Sequence, residues 1–396
     1  MEANLNQPNL QFDYIFAGGG MAALSLAYQI NNSNLKSKKI LILDQSLKNS
    51  NDHTWCFWEN DSGTFEEIVF RKWNGFWFHG NFNFSKFLKL EQYQYKMIRS
   101  IDFYDFIIPE LKLNPNITFK QVKAVSIANN SVKTETNEYF SNEYIFDSIS
   151  IPKFDKPQYN NLLQHFLGWV IETNSLIFEK DKPTLFDFRV DQKNECRFVY
   201  VLPFSEKKAL VEFTIFSDNL IEKKEYELEL SNYLKIHYGL NSDQYTIKET
   251  EFGIIPMSDE SIDLLDMSGI IKIGTAAGFV KPSTGYSFQR TQNYCQQLVK
   301  ALENKSLDNQ TLRKSTWKKY LDSVLLNVMK YKRAPQSEIF TSLFSKNKAD
   351  SIFKFLSEES TLFEDIKLMN SVPKLPFIKS AIDEFLKRIV CNFVKK

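Results

Sequence analysis

The chain has 396 residues, 43% of them hydrophobic, with 49 basic against 48 acidic side chains and a net charge of +1. That length allows two or three sub-domains around a substantial core, and the balanced charge disfavours a nucleic-acid binder, which carries a basic surplus. Cys56, Cys196, Cys295 and Cys391 are scattered, with no CxxC or Cys/His pairing, which argues for reduced thiols in a cytoplasmic setting and against a structural zinc.

The N-terminus lacks a basic segment followed by an apolar one, so it reads as no signal peptide. No run of about 18 apolar residues predicts a transmembrane helix. The 35 phenylalanines fit either an apolar substrate cavity or a Phe/Asn/Lys/Ile-rich composition, and the abundance of Asn and Lys favours composition for most of them.

In chain order, Phe12 to Ala17 reads as a short buried strand running into a glycine turn, and "MAALSLAYQI" as a helix with Leu24, Ala27, Tyr28 and Ile30 on its apolar side. "KKILILD" is a second buried strand ending in Asp44. Together these make a βαβ unit. Residues 100–112 predict a helix capped by Ser100 or Asp102, residues 116–147 strands and hairpins, and residues 185–217 an antiparallel sheet. Beyond about residue 287 the pattern is helical. The expected fold class is α/β: a Rossmann-like cofactor-binding domain (1–150 with 250–300), a β-rich substrate domain (151–249) and a C-terminal helical region (301–396).

"GGGMAA" matches G-x-G-x-x-A through Gly18, Gly20 and Ala23. The first glycine permits the tight turn, the second lets backbone approach a pyrophosphate, and the small third residue packs helix on strand. The helix N-terminus, with Met21 and Ala22, would face the phosphates, and Asp44 sits at the distance expected of a ribose contact. An acid there favours FAD or NAD over NADP. The late stretch "IGTAAGFVKPSTGYSFQRT" repeats strand then glycine turn, so Gly274, Thr275, Ala276, Gly278 and Gly285 are read as a second approach to the flavin side of one FAD. The plainer alternative is a tight turn before the C-terminal helices.

"NDHTWCFW" (51–58), "LLQHFLGWVIE" (162–172), "LVEFTIFS" (210–217), "IPMSDE" (255–260) and "GTAAGFVKPSTGYSF" (274–288) occur in this order. Together they resemble the lycopene cyclases, specifically the bacterial and plant lycopene β-cyclases, and the resemblance extends into the tail around 343–373. It implies cyclisation of the linear ends of lycopene and related acyclic carotenes, a reaction of the intramolecular-lyase type without net redox change. It also implies reduced FAD as cofactor, with NAD(P)H needed only to reduce it. Residue by residue, it makes Glu212 the catalytic acid/base. His165, Phe166 and Trp169 would line the cavity, with Gly168 in the same block, and Phe213 would join the aromatic residues around the cation. Pro282, Gly285 and Tyr286 would lie beside the flavin ring, and Asp52, His53, Thr54 and Trp55 near the cofactor or the entrance.

Two departures stand out. Gly274-Thr275 replaces the Gly-Asp common in other flavoproteins of this fold, and Phe213-Thr214 follows Glu212 where related sequences often carry a second acid, so a paired acid would have to come from elsewhere. Without the resemblance, Glu212 is equally readable as the solvent-facing residue of an amphipathic strand, and His165 with Trp169 as one helical face in a core. Glu212 as the acid of a non-redox cyclase therefore competes with an FAD-dependent oxidoreductase (a hydroxylase or prenyl reductase) on an apolar isoprenoid, and with a pigment carrier. A lipid-borne substrate implies docking on the inner face of a membrane. In the C-terminal segment Ile378, Ile382, Phe385, Ile389 and Phe393 share one side, with Lys379, Lys387, Arg388, Lys395 and Lys396 for headgroups; packing on the protein's own core is the alternative.

Overall fold

The computed structural model describes residues 10–154, 156–308 and 316–394, with side chains as far as residue 389. Its first layer is a sheet in the order 117–121, 40–44, 11–17, 138–147, 131–134, 124–128, with Ile270–Lys272 pairing alongside 138–147. The strands at its centre are parallel. Ile15, Phe16, Leu41 and Leu43 are fully buried, because helices cover one face and the 124–134 hairpin the other. Such strands read as unbroken apolar runs, which is why the opening βαβ unit was visible in the sequence.

The second layer is a sheet in the order 245–258, 161–173, 208–217, 196–203, 184–187, 75–79, 85–89. Gly75–His79 and Ser85–Lys89 therefore belong here, as does Tyr245–Ser258, although the sequence grouping assigned 75–89 and 250–258 to the cofactor domain. Backbone pairing decides this: Gly75–His79 runs parallel to Thr184–Asp187, a partner more than one hundred residues away that no local pattern announces. A small third sheet joins Thr54–Glu59, Gln94–Arg99 and Arg71–Trp73.

Two further expectations change. The helix Ser100–Lys112 has Arg99 as N-cap and no side-chain cap. Ser100 is buried, and its hydroxyl accepts from the backbone of Asp52 (2.9 Å) and His53 (3.0 Å) and donates to Asp52 (2.7 Å). The segment carrying His165 and Trp169 is no helix but a 13-residue strand, Asn161–Thr173, held between two long antiparallel partners.

The chain ends in helices. The last of them, Lys374–Val394, packs inward through buried Ser380 and Glu384 and leaves Ile378, Ile382 and Phe385 more than half exposed. Lys387 and Arg388 are engaged by the protein, by Glu384 (2.8 Å) and Ser323 (3.1 Å). The side chain of Phe393, Lys395 and Lys396 lie outside the described residues. Among the described residues no helix is long and apolar enough to cross a membrane.

Candidate active site

The candidate cofactor cleft begins where strand Gln11–Ala17 turns at Gly18, whose φ of 99° an L side chain rarely adopts. Gly20 is the extended N-cap of helix Met21–Asn31, and no side chain caps that terminus. The amide groups of its first turn, at Met21, Ala22 and Ala23, thus face outward in the arrangement that binds phosphate. Asp44 has a second role the motif did not announce: its carboxylate accepts from the Gly19 amide (2.6 Å) and the Ser46 amide (2.7 Å), holding the turn shut, with Lys48 3.3 Å away.

The late glycine stretch returns to this place. Strand Ile270–Lys272 leads into a single 3-10 turn, Gly274–Ala277, closed by Gly278, and a Cβ on Gly274 would lie 3.0 Å from the Cβ of Ala22. The two turns therefore touch. The next helix starts at Phe288, where the pattern beyond about residue 287 places it. In between, a loop carries half-buried Pro282 and is tied down by Lys281, ion-paired to Asp322 (2.9 Å) and Glu358 (3.1 Å). Around the cleft Thr284 Oγ1, Arg290 Nε, Thr291 Oγ1 and Gln292 Oε1 are buried with no protein partner. Buried polar atoms are normally satisfied. Two abutting glycine turns with free amides and orphaned polar atoms beside them fit a dinucleotide such as FAD.

The same loop forms one wall of a cavity whose other wall is the second sheet. It is lined by Thr54, Trp55 and Cys56, by Thr284 to Phe288, and by Gln164, Phe166, Glu212 and Glu251. The sheet wall is ordered by register. Gly168 pairs with Glu212 on one side and Glu251 on the other, and Glu212 pairs in turn with Tyr200. Tyr200, Glu212, Gly168 and Glu251 thus form one row across four strands. Gly168 has no side chain between the two carboxyl-bearing residues, and Leu210 and Glu212 close over it: a Cβ there would lie 3.0 Å from Leu210 Cδ1 and 3.4 Å from Glu212 Oε2. Gly285 (φ 77°) is equally constrained, since a Cβ would overlap Gln164 Oε1.

Burial, followed by the charge of Glu251, pushes the Glu212 carboxyl up to about 8, against a hydrogen bond from the Thr214 hydroxyl (3.0 Å). Burial likewise pushes Glu251 up to about 7, opposed by the Thr54 amide (3.2 Å) and aided by Asp52 and Glu249. Near neutrality one of the two carboxyls holds a proton. Below them the hydroxyls of Tyr95, Tyr286 and Tyr200 cluster, 3.2 and 3.4 Å apart, and burial raises all three phenols far above their usual range. Burial also raises the Cys56 thiol, so it stays protonated.

Of the four residues expected to contact substrate, only Phe166 lines this cavity. His165, Trp169 and Phe213 point to the opposite face, because successive strand residues alternate sides. There they pack under helix Lys223–Tyr238. His165 is fully buried, bonded at Nε2 to Ser217 (2.8 Å) and at Nδ1 to the Tyr226 hydroxyl (2.6 Å), and burial lowers its pKa. Glu251, Tyr200 and Tyr95 were missed. Glu251 stands just upstream of the quoted "IPMSDE", among the acids of "KETEF", with nothing local to distinguish it from Glu249.

A Rossmann-like sheet whose glycine turn is met by a second one, beside a sheet bearing the polar side chains of the cavity, defines the flavoprotein class of α/β folds. A solved geranylgeranyl bacteriochlorophyll reductase-like protein from Thermoplasma acidophilum has this fold, with a TM-score of 0.58 at 15% identity over 94% of this chain and 99% of that one. Within that class, the profile of the family described as Lycopene cyclase protein matches residues 13–382, and the chain belongs to the lycopene cyclase family. It is 24% identical over 300 residues to the chloroplastic lycopene beta cyclase of Arabidopsis thaliana, covering 70% of this chain and 58% of that protein. It is 22% identical over 326 residues to the chloroplastic neoxanthin synthase of Solanum lycopersicum, covering 75% and 61%. The matched region thus spans less than two thirds of either relative.

Proposed function

We propose that the protein is a lycopene β-cyclase that converts the ψ-end groups of lycopene to β-rings, giving γ-carotene and then β-carotene, with Glu212 as proton donor. The observation that carries this reading is a buried carboxyl, Glu212, lining an aromatic cavity whose other wall is the loop that follows the second glycine turn, with burial pushing that carboxyl up to about 8. An acid protonated at neutral pH is what protonating an alkene requires. Phe166, Trp55 and Phe288 present rings to the same cavity, and aromatic faces stabilise an adjacent cation.

FAD would be held by the amides at Gly20 to Ala23, by Asp44 and by the Gly274–Gly278 turn, and when reduced it would supply negative charge toward the cation; NAD(P)H serves to reduce it. The chain's residues do the remainder: Thr214 orients the Glu212 carboxyl and Gly285 leaves the cavity open against Gln164. The exposed stripe Ile378, Ile382 and Phe385 supports docking of a cytoplasmic protein on the inner membrane face, where such a substrate resides.

The test is carotenoid profiling of lycopene-accumulating cells expressing the chain, with NAD(P)H use followed in the purified, flavin-loaded protein. β-Carotene without stoichiometric NAD(P)H consumption supports the cyclase. A flavin-loaded protein that leaves lycopene untouched removes this reading, and NAD(P)H consumed in proportion to a changed carotenoid makes it an oxidoreductase.

A further inference from the structure

We infer that Glu251 is the general base of the reaction: it removes the ring proton after Glu212 has delivered the first, and the pair resets by returning that proton over Gly168. This rests on the cyclase reading and names a group that reading leaves open.

The argument begins with placement. Glu251 lies on the edge strand Tyr245–Ser258, two strands from Glu212, and both residues pair with Gly168. Neighbouring strands are about 4.8 Å apart, so the two backbones are separated by roughly 10 Å. Both carboxyls line the same cavity, with Leu210 packed over the glycine between them. Gly253, the next residue of the edge strand on this face, keeps the neighbouring space for Phe166, whose ring a Cβ at 253 would overlap. The cavity thus has an acid on one flank, a second carboxyl on the other and an aromatic ring beside them.

The chemistry needs both. The O–H bond of Glu212 breaks as a C–H bond forms at the chain-terminal double bond. The electrons of the neighbouring double bond close the six-membered ring and leave a cation. The C–H bond on the ring carbon joined to the polyene then breaks, its electron pair forms the ring double bond, and its proton goes to the Glu251 carboxylate. Substrate and product are isomers, so the proton on Glu251 must reach Glu212 before the next turnover, and no oxidant or reductant is consumed. The Thr54 amide holds Glu251, while the Thr214 hydroxyl holds Glu212. The groups around Glu251 are Glu212 from strand Lys208–Ser217, Asp52 from the loop before Thr54, Glu249 on its own strand, and Cys56 with the phenols of Tyr95, Tyr200 and Tyr286 within the cavity wall. Burial raises the thiol and the phenols, which stay neutral at working pH.

The experiment measures initial rates of lycopene turnover in liposomes against pH for the flavin-loaded wild type, Glu251→Gln and Glu212→Gln, with product rings identified. Expected is a bell-shaped wild-type profile. Its acid limb reflects Glu251, which must be ionised, and its basic limb Glu212, which must be protonated. Glu251→Gln is expected to lose about 10²–10⁴-fold in rate, to lose the acid limb, and to shift its basic limb to lower pH because a repelling charge on Glu212 is gone. Its residual product should include rings whose double bond forms at another carbon. A wild-type profile without an acid limb overturns the inference, and this result needs no variant to fold. So does a flavin-retaining Glu251→Gln that keeps the acid limb and a rate within about threefold of wild type, a margin far below what a general base contributes. A wild type that does not cyclise lycopene instead refutes the cyclase reading, and a fully active Glu212→Gln refutes only the acid assignment.

Discussion

The two faces of the second sheet are made by the same strands and do opposite things. On the helix face His165 has both ring nitrogens bonded, and Trp169 and Phe213 are buried among apolar neighbours. On the cavity face, one residue along, Gln164 Oε1 is buried without a partner and two carboxyls are held above their ordinary range. The polar groups of the first face stabilise the fold because the protein satisfies them. Those of the second are left for something else to satisfy, and an incompletely satisfied buried group is where a fold gives up stability for chemistry.

Substitutions on each face should separate these roles. The largest effect is expected at Glu212: Glu212→Gln should lower cyclisation by about 10²–10⁴-fold while flavin absorbance and fold are retained, and a residual rate near wild type would erase the contrast. Next comes Gly285→Ala, which forces a side chain into a left-handed conformation and onto Gln164. We expect it to cost roughly 2–4 kcal/mol of stability, seen as a lower Tm with reduced activity. His165→Ala should cost about 1–3 kcal/mol by removing the imidazole partner of the Tyr226 hydroxyl, while Ser217 keeps its bond to the Asn219 carbonyl, yet leave the rate per folded molecule unchanged. A large drop in rate at full stability would place His165 in the reaction after all.

The smallest effect concerns pH. The folded protein holds the Glu212 proton more tightly than the unfolded chain does, since its pKa is raised from 4.5 to about 8. Stability is therefore lost as pH rises through that window. Glu212→Gln cannot ionise, so its Tm should exceed that of wild type at pH 8 and match it near pH 4. Equal values at both would mean that the carboxyl is not held in the environment described.

Much of this was legible in the residues. The opening βαβ unit is written in contiguous apolar runs and a glycine turn, both local signals, and the second glycine stretch is as compact. The quoted blocks pointed to the family and to Glu212. Which way His165, Trp169 and Phe213 face was not legible, because a strand buried on both sides has no alternation to read. Nor could "KETEF" be sorted into one cavity acid and its solvent-facing neighbours.

The sequence by itself determined the two glycine turns, the family blocks and the candidate acid Glu212, since each depends on residues within one turn or one strand of each other. Tertiary structure alone decided that Glu251 shares the cavity with Glu212, that Gly168 lies between them in the sheet, and that the phenols cluster beside them. Those depend on register among strands that lie tens of residues apart, and a shift of one residue in that register would have sent either carboxyl to the other face.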